Sequence, residues 1–376
     1  MGIQIETFHF IFVSGFKPLI ENYSMKKDLL DIIRCPVHRT TLRIEILEKK
    51  EKRYNQINEE IIWTGILYSE SDFFYPIING IPRLIVEAFE DYASFFKVHL
   101  PDYEQRKNEI LSKYQGLVHQ IISKNASTKK SFSQEWNLYS YDGDKTWDLD
   151  ATQLLNRFLL ETDESLASLQ TKLVLDAGCG NGHLNGLLAQ AGVRNVGMDF
   201  SQSVERAFEI NENSNAMFVQ ADVEYPPFDF YGFDVVHSSG VLIATQRTEL
   251  SLSCLDPCVK PGGKISIWSY QPRADVIHNL FNFIRNYSSK LPIRFQYYLY
   301  LFTLLPVSYG IKRMKGNKQN WREMMIDILD WFSPGNRWEH EISEVSAWFR
   351  KRNYTRIKTT DNNMWGFNLV GVKGDK

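Results

Sequence analysis

The sequence carries little net charge for its length. Its 376 residues have a formal net charge of -2, and 23% of them are charged. A chain so close to neutrality has no strong overall field that would draw it onto nucleic acid or an anionic membrane. The 43% hydrophobic residues are typical of a globular protein, and the length suggests about two domains.

Cysteine is scarce. Cys35, Cys179, Cys254 and Cys258 are too few and too scattered for a disulfide framework, which predicts a reducing compartment and a cytoplasmic protein. Cys254 and Cys258 are four residues apart, but zinc needs four ligands and no second pair lies nearby. We therefore expect buried apolar cysteines and no metal site.

Long apolar runs are also missing. No stretch of about 20 residues is apolar enough to cross a bilayer. The short run at 8–13 has neither a basic segment before it nor a cleavage site after it, so we expect no signal peptide. Because Met25 is a plausible start in its own right, residues 1–24 are expected to be an extension outside the folded core.

The first part of the chain predicts a small β-rich unit over residues 25–90. Residues 41–47 alternate like a half-buried strand, and the charged run 48–53 is expected to be a solvated turn or loop. Apolar runs at 61–67 and 73–78 suggest two more strands. Residues 91–130 are polar and helical in pattern, which predicts a helical linker.

The pattern changes to alternating strands and helices at residue 171 and defines a domain over 131–376. Strands are expected at 173–176, 194–199, 216–221, 233–238, 263–269, 354–360 and 365–372. Helices are expected near 183–191, 203–211, 246–258 and 343–352. This alternation predicts an α/β fold with a doubly wound, mostly parallel sheet. Residues 272–330 interrupt it with aromatic-rich helical sequence, which we interpret as a cap.

A glycine loop follows the first strand of this domain and is the central signal. It contains Asp176, Gly178, Cys179, Gly180, Asn181 and Gly182. Glycines let the backbone turn sharply and approach a ligand without a clash at Cβ. Ligands bind at the carboxyl ends of strands in open parallel sheets. The loop alone is weak evidence, since a dinucleotide site has a similar G-x-G-x-x-G loop.

Carboxylates end the next two strands. Asp199 comes about 20 residues after the loop, where an acidic residue is placed to accept ribose hydroxyls. Asp222 ends the third strand and can accept from an adenine amino group. Together with Asp176, these side chains are predicted to line one edge of the sheet.

These motifs resemble the class I S-adenosylmethionine-dependent methyltransferases, and the resemblance covers roughly residues 130–372. It implies a Rossmann-like, doubly wound seven-stranded sheet whose last hairpin is antiparallel. It also implies that Gly178, Gly180 and Gly182 cradle the methionine part, Asp199 the ribose, and Asp222 with Val223 the adenine of S-adenosyl-L-methionine. The expected cofactor-binding residues are Asp176, Gly178, Cys179, Gly180, Asn181, Gly182, Asp199, Phe200, Asp222, Val223, Ser238, Trp136 and Tyr139.

Aromatic residues at the start of this domain, before its first strand, match a lid of related enzymes. Trp136, Tyr139 and Tyr141 lie there, and such rings can contact a sulfonium by cation–π attraction. Ordinary packing is the alternative interpretation of all three.

His237 and Tyr270 are the candidate catalytic residues. His237 lies on the fourth strand, next to where a methyl acceptor would sit, and could be a base or could point into the helix layer. Many relatives carry histidines after Gly240, whereas this chain has Ile243 to Thr245, which puts a base there in doubt. Alignment can supply much of the rate without one. Tyr270 follows the fifth strand and is expected to line the acceptor pocket.

The cap segment is rich in aromatic residues between 276 and 311, and a short basic run follows at 311–318. We interpret it as a helical cap that encloses an apolar acceptor. The alternative is a helix layer that rests on a membrane surface, with the basic run facing lipid headgroups.

The N-terminal unit is similar to a small zinc-ribbon-like domain that partners tRNA, rRNA and protein methyltransferases. Its usual metal site has two C-x-x-C pairs. Here the first pair is Cys35 and His38, and the second position, residues 68–71, has no thiol. Two ligands cannot close a structural zinc site, so this unit is expected to fold without zinc and to act as a scaffold.

The leading functional interpretation is methyl transfer by direct displacement to a small-molecule, glycolipid or natural-product acceptor. Methylation of tRNA or rRNA is an alternative suggested by the N-terminal unit, although only one short basic run would serve it. A non-catalytic scaffold that binds the cofactor is the second alternative, and the complete set of glycines and carboxylates argues against it.

Overall fold

The computed structural model describes residues 27–137, 150–317 and 319–375. Two sheets organise the chain, one of four strands and one of seven. Within the described residues, no helix combines the length and apolarity needed to cross a bilayer.

The four-stranded sheet is an antiparallel meander near the N-terminus. The helix α1 (Lys27–Ile32) precedes its strands β1 (Leu42–Tyr54), β2 (Ile57–Ser69), β3 (Phe74–Ile78) and β4 (Ile81–Pro82). The charged run 48–53 is not the expected loop, because it extends β1 into a long hairpin whose turn is at Asn55. The run stays in the strand because β1 and β2 pair along their whole length, and Lys49 bonds Glu60 at 2.9 Å across them.

Three helices connect this sheet to the larger one. They are α2 (Ala88–Asp91), α3 (Ala93–His99) and α4 (Tyr103–Asn137). The long helix α4 is kinked at Tyr114, where φ is -125°.

The seven-stranded sheet is mixed, in the order β10-β11-β9-β8-β5-β6-β7. Its strands are β5 (Leu173–Ala177), β6 (Arg194–Asp199), β7 (Ala216–Gln220), β8 (Phe233–Ser239), β9 (Val259–Tyr270), β10 (Tyr354–Asn362) and β11 (Gly366–Lys373). Its helices outside the cap are α5 (Ala151–Thr162), α6 (Leu166–Leu169), α7 (His183–Gln190), α8 (Ser203–Ile210), α9 (Thr248–Leu255) and α14 (Ile342–Lys351). Strands β5 to β9 are parallel, and β11 is antiparallel to both neighbours. The predicted doubly wound sheet with an antiparallel last hairpin is confirmed.

The cap forms a helical layer with a core of its own. Its helices are α10 (Val276–Ser288), α11 (Ile293–Phe302), α12 (Leu304–Met314) and α13 (Trp321–Phe332). Residues Ile293 and Tyr300 of α11 pack there against Met324, Met325 and Leu329 of α13. The cap is thus a separately packed unit inserted between β9 and α14.

The two sheets meet at the free edge of β7. The amide of Leu84 donates to the carbonyl of Gln220 at 2.8 Å, and the fully buried Arg83 bonds Glu205 of α8 at 2.8 Å. A single hydrophobic core contains residues of both sheets, for example Ile66 and Val219. The N-terminal unit therefore packs as an extension of the larger sheet.

Candidate active site

The glycine loop is fixed to the neighbouring strand by its backbone. The amides of Gly178 and Cys179 donate to the carbonyl of Met198 at 2.7 and 3.0 Å. Gly178 has φ of +98°, and a Cβ on it would lie 2.1 Å from the Cγ2 of Val241. No other residue type fits this position without strain and collision. The loop is therefore held in one conformation at the carboxyl end of β5.

Asp199 joins the loop to the end of β6. Its Oδ2 accepts from the amide of Gly180 at 2.9 Å, and its Oδ1 accepts from the amide and hydroxyl of Ser201 at 2.8 and 2.7 Å. A carboxylate has about four acceptor positions, so about one remains for a ligand hydroxyl. The Ser201 hydroxyl also contacts the hydroxyl of Ser203 at 2.7 Å. If the Ser201 hydroxyl rotated to donate there, a second acceptor position of Asp199 would be released.

Asp222 lies two residues past β7 and is paired with a lysine from α4. The ammonium of Lys124 contacts Asp222 Oδ2 at 3.0 Å and Glu224 Oε2 at 2.6 Å. Burial opposes the charge of Lys124, but the two carboxylates outweigh it and raise its pKa. The pair thus contributes one charged hydrogen-bonded cluster to the adenine end of the predicted site, and its cation comes from outside the larger sheet.

His237 lies buried on β8 between two carboxylates. Its Nδ1 is 3.1 Å from Asp176 Oδ1, and its Nε2 is 2.7 Å from Glu161 Oε2. Burial works against the imidazolium, but the hydrogen bonds and charges of Asp176 and Glu161 raise the pKa of His237 to about 9. Arg157 bonds Glu161 at 2.7 Å, which completes an alternating chain of charges. An imidazolium with both nitrogens engaged has no lone pair to accept a proton.

A cavity of about 2860 Å³ runs along these groups and continues under the cap. The predicted cofactor-binding residues that line it are Asp176, Gly178, Cys179, Gly180, Asn181, Asp199, Phe200, Asp222 and Val223. Both candidate catalytic residues, His237 and Tyr270, line it as well. Carboxylates from three neighbouring strands therefore do share one edge and one cavity.

Two of the predicted cofactor residues do not line this cavity. Ser238 is fully buried and its hydroxyl donates to the carbonyl of Ala177 at 2.8 Å, because alternation along β8 turns it away from the cavity. Gly182 is the N-cap residue of α7 and lies outside the cavity wall, and a Cβ there would lie 2.5 Å from that of Ala207. Its role is close packing of α7 against α8.

The predicted aromatic lid cannot be assigned contacts. Trp136 lies at the end of α4, and its side chain is not among the described ones. Tyr139 and Tyr141 lie outside the described residues.

Tyr270 lies at the end of β9, where the cavity passes under the cap. Its ring packs edge-on against Trp268 at 4.8 Å and Trp331 at 5.9 Å between centroids. The guanidinium of Arg337 lies 3.7 Å from the centres of both the Tyr270 and Trp331 rings. Tyr270 thus forms part of an aromatic and cationic wall where the cavity passes under the cap.

Sequence reasoning missed Glu161, Arg157 and Lys124. Glu161 lies on α5, whose start is marked by an Asp150–Gln153 capping box that is legible in the sequence. The capping box predicts where the helix begins, but it does not predict that Glu161 contacts His237, which is 76 residues away. Lys124 had no local signal, since its partner Asp222 is 98 residues away.

The described residues show no metal centre. Within 27–137, 150–317 and 319–375, no group of three or more His, Cys, Asp or Glu side chains could hold a metal ion. Cys35 is buried and its sulfur lies 3.2 Å from the hydroxyl of Tyr75, while His38 packs against the rings of Phe73 and Tyr114.

A family model described as "Methyltransferase domain" matches residues 175–267. An uncharacterized methyltransferase of Synechocystis sp. is 32% identical over 128 residues, which are 31% of this chain and 60% of that protein. A ubiquinone biosynthesis O-methyltransferase of Coxiella burnetii is 30% identical over 115 residues, 30% of this chain and 49% of that protein. The chain thus spans about half to three fifths of the length of these curated relatives.

Among solved structures, magnesium protoporphyrin IX methyltransferase from Synechocystis PCC 6803 with bound SAH is similar at 16% identity. That match covers 66% of this chain and 100% of the other, with a TM-score of 0.40.

Proposed function

We propose that this chain is an S-adenosylmethionine-dependent methyltransferase. The observation that carries the proposal is the set of three carboxylates, Asp176, Asp199 and Asp222, which line one cavity around a glycine loop held in a single conformation. The match of residues 175–267 to a methyltransferase domain model supports it.

The donor and acceptor set of this cavity fits S-adenosylmethionine. Asp199 keeps about one acceptor position for a ribose hydroxyl, and Asp222 lies where an adenine amino group could donate. Gly178 and Gly180 have positive φ and expose backbone in place of side chains. When bound, S-adenosylmethionine supplies an electrophilic methyl group on a positively charged sulfur, and this acidic edge of the sheet favours that charge.

His237 is proposed to be a positioning residue. As an imidazolium it fixes Asp176 beside the loop and cannot remove a proton from the acceptor at neutral pH. The chain's part in catalysis is then alignment of acceptor and methyl donor and exclusion of water under the cap. With His237 protonated, a proton released by the acceptor would pass to solvent.

The acceptor is proposed to be a small molecule with an apolar part. The cavity continues from the carboxylates to apolar cap residues such as Phe281, Ile284 and Phe332. One curated relative is named for the biosynthesis of a small molecule, ubiquinone.

The N-terminal unit is proposed to be a zinc-free scaffold of the zinc-ribbon-like kind. Cys35 is buried beside Tyr75, and the chain that continues from this unit brings Lys124 to the adenine end of the site. The four free cysteines support a reducing compartment such as the cytoplasm.

Calorimetric titration with S-adenosylmethionine and S-adenosylhomocysteine tests the proposal. We expect binding by the intact chain and a loss of at least about tenfold in Asp199→Ala, since a hydrogen bond to a charged group contributes about 1.5–3 kcal/mol. Asp102→Ala removes a carboxylate from the exposed start of α4 and should bind normally. Absence of binding by the intact chain would refute the proposal.

A further inference from the structure

Two arginines, Arg273 and Arg337, line the cavity where it passes under the cap. Arg337 is 9% exposed and lies between the rings of Tyr270 and Trp331, with its Nη1 2.9 Å from Glu339. A third arginine, Arg285 of α10, lies outside the cavity wall, and burial together with the charge of Arg337 lowers its pKa.

These guanidinium groups have buried donors without acceptors. Among the described residues, no hydrogen-bond partner is present for Arg337 Nε, for Arg285 Nε and Nη1, or for Arg273 Nη1. The nearby carboxylate of Glu339 is shared with His278 at 2.8 Å, and Arg273 pairs with Asp275 at 2.7 Å. Buried cations are normally paired with anions, so this cluster has an excess of positive charge and of donors.

We propose that the methyl acceptor carries an anionic group, a carboxylate or a phosphate, which binds to Arg273 and Arg337 in the cavity wall, while Arg285 adds positive charge beside Arg337. This inference rests on the proposed methyltransferase function and names the class of its acceptor. A planar guanidinium held between two rings presents its donors in a fixed direction, which suits an oxyanion.

The apolar wall of the same cavity fits the rest of such an acceptor. Phe281, Ile284, Ile326, Ile328 and Phe332 line the part of the cavity that lies within the cap. An acceptor with an anionic group and an apolar body would occupy both parts, with the reacting atom toward the glycine loop.

Binding of matched twelve-carbon probes tests the inference. Four probes would be titrated into the full chain saturated with S-adenosylhomocysteine. They are dodecyl phosphate and dodecanoate, both below their micelle concentrations, dodecan-1-ol, and inorganic phosphate. We expect the two anionic amphiphiles to bind at least tenfold more tightly than dodecan-1-ol. Arg285→Gln should reduce that preference and leave dodecan-1-ol binding unchanged, because Arg285 adds charge from outside the cavity wall. Arg322→Gln, an exposed change on α13, is the matched control and should keep the preference.

The melting temperature of Arg285→Gln distinguishes a role in anion binding from a purely structural role of Arg285. Removing the like charge beside Arg337 should raise the melting temperature of Arg285→Gln, whereas loss of a structural contact would lower it. Equal binding of dodecyl phosphate and dodecan-1-ol would overturn the inference, and so would an unchanged preference in Arg285→Gln. If inorganic phosphate displaced dodecyl phosphate, the ligand of the arginines would be a free anion and not an anionic group on an apolar chain. Titration of S-adenosylhomocysteine into the same protein tests the methyltransferase proposal separately.

A second inference comes from the outer face of the cap. Helix α10 exposes Val276, Phe283 and Tyr287, which lie on one face of the helix. These side chains do not line the cavity. Helix α11 turns Ile293, Gln296 and Tyr300 inward. Its outward residues are Phe295, Tyr298, Leu299 and Phe302, of which Phe295 and Phe302 are 69% and 75% exposed. Half of the large exposed hydrophobic side chains among the described residues lie between 276 and 314.

The charge of this segment is of one sign. Residues 276–322 contain eight lysines and arginines and no aspartate or glutamate, in a chain whose net charge is -2. Lys290 and Arg294 are exposed beside the outward residues of α10 and α11. Aromatic residues with flanking basic groups suit the interface of an anionic bilayer.

We propose that the outer face of α10 and α11 docks on an anionic lipid membrane. Sedimentation with vesicles tests it. The full chain should bind phosphatidylcholine vesicles that contain phosphatidylglycerol, bind pure phosphatidylcholine at least tenfold less, and be released by high salt. The double variant Phe295→Ser, Phe302→Ser should lose binding, while Val98→Ser, a 75% exposed residue of α3, should keep it. Lack of vesicle binding would overturn the proposal. So would a concentration-dependent dimer that the double variant abolishes, because the face would then join two copies.

Discussion

The charge chain around His237 predicts a pH dependence of stability. In the folded protein the pKa of His237 is about 9, against an ordinary value of 6.5 that holds after unfolding. Folding therefore favours the protonated form, because Asp176 and Glu161 bond both ring nitrogens. The stabilisation is fully present below pH 6.5 and is lost as the pH rises through 9. At 1.36 kcal/mol per pKa unit, it amounts to about 3 kcal/mol.

His237→Gln isolates this contribution, since it keeps polar contacts but cannot be protonated. The difference in unfolding free energy between the natural chain and the variant should shrink by about 3 kcal/mol between pH 6.5 and pH 9. Other titrating groups, such as Lys52 with its lowered pKa of about 8, are present in both proteins and cancel in the difference.

Two measurements check this expectation. Urea titrations at several pH values give the difference in stability, and NMR of histidines labelled at Cε1 follows His237 directly, with the variant assigning its signal. A midpoint near or below 6.5 would refute the charged-imidazolium interpretation and restore His237 as a candidate base. A stability difference that stays constant with pH would refute it equally.

Gly178→Ala should destabilise the fold by about 3 kcal/mol, because it combines a φ of +98° with a collision at Val241. The control Gly186→Ala has open space around it in α7 and should be neutral or slightly stabilising. Equal urea midpoints of the two variants would contradict this prediction. Lys124→Met should cost about 3 kcal/mol, since it leaves Asp222 and Glu224 without their buried cation, and a loss below about 1 kcal/mol would show that the pair is dispensable. Purified protein should contain no stoichiometric zinc by elemental analysis, and about one zinc per chain would overturn the zinc-free interpretation of the N-terminal unit.

The larger sheet could be predicted from the sequence because its signals are local. Short apolar strands that end in a carboxylate recur along the chain, and a glycine loop follows the first of them. Parallel pairing of these strands then brings Asp176, Asp199 and Asp222 to one edge. The charged stretch 48–53 was mispredicted because its sequence resembles a loop, while its strand conformation depends on pairing with β2.

The contacts that set the chemistry were not predictable in this way. Glu161 and Lys124 act on residues 76 and 98 positions away, and nothing in their own neighbourhoods marks them. The state of His237 depends on both distant carboxylates at once. Its identity in the sequence suggested a base, and only the packed structure gives it two acidic partners.

The junction between the sheets limits where this protein can be divided into working fragments. The segment at Arg83 and Leu84 covers the edge of β7, which would otherwise present unpaired backbone groups to other chains. A truncation that starts at residue 150 would uncover that edge and remove Lys124 as well. A shortened chain of this kind would therefore be expected to self-associate along β7 and to carry an unpaired carboxylate at Asp222.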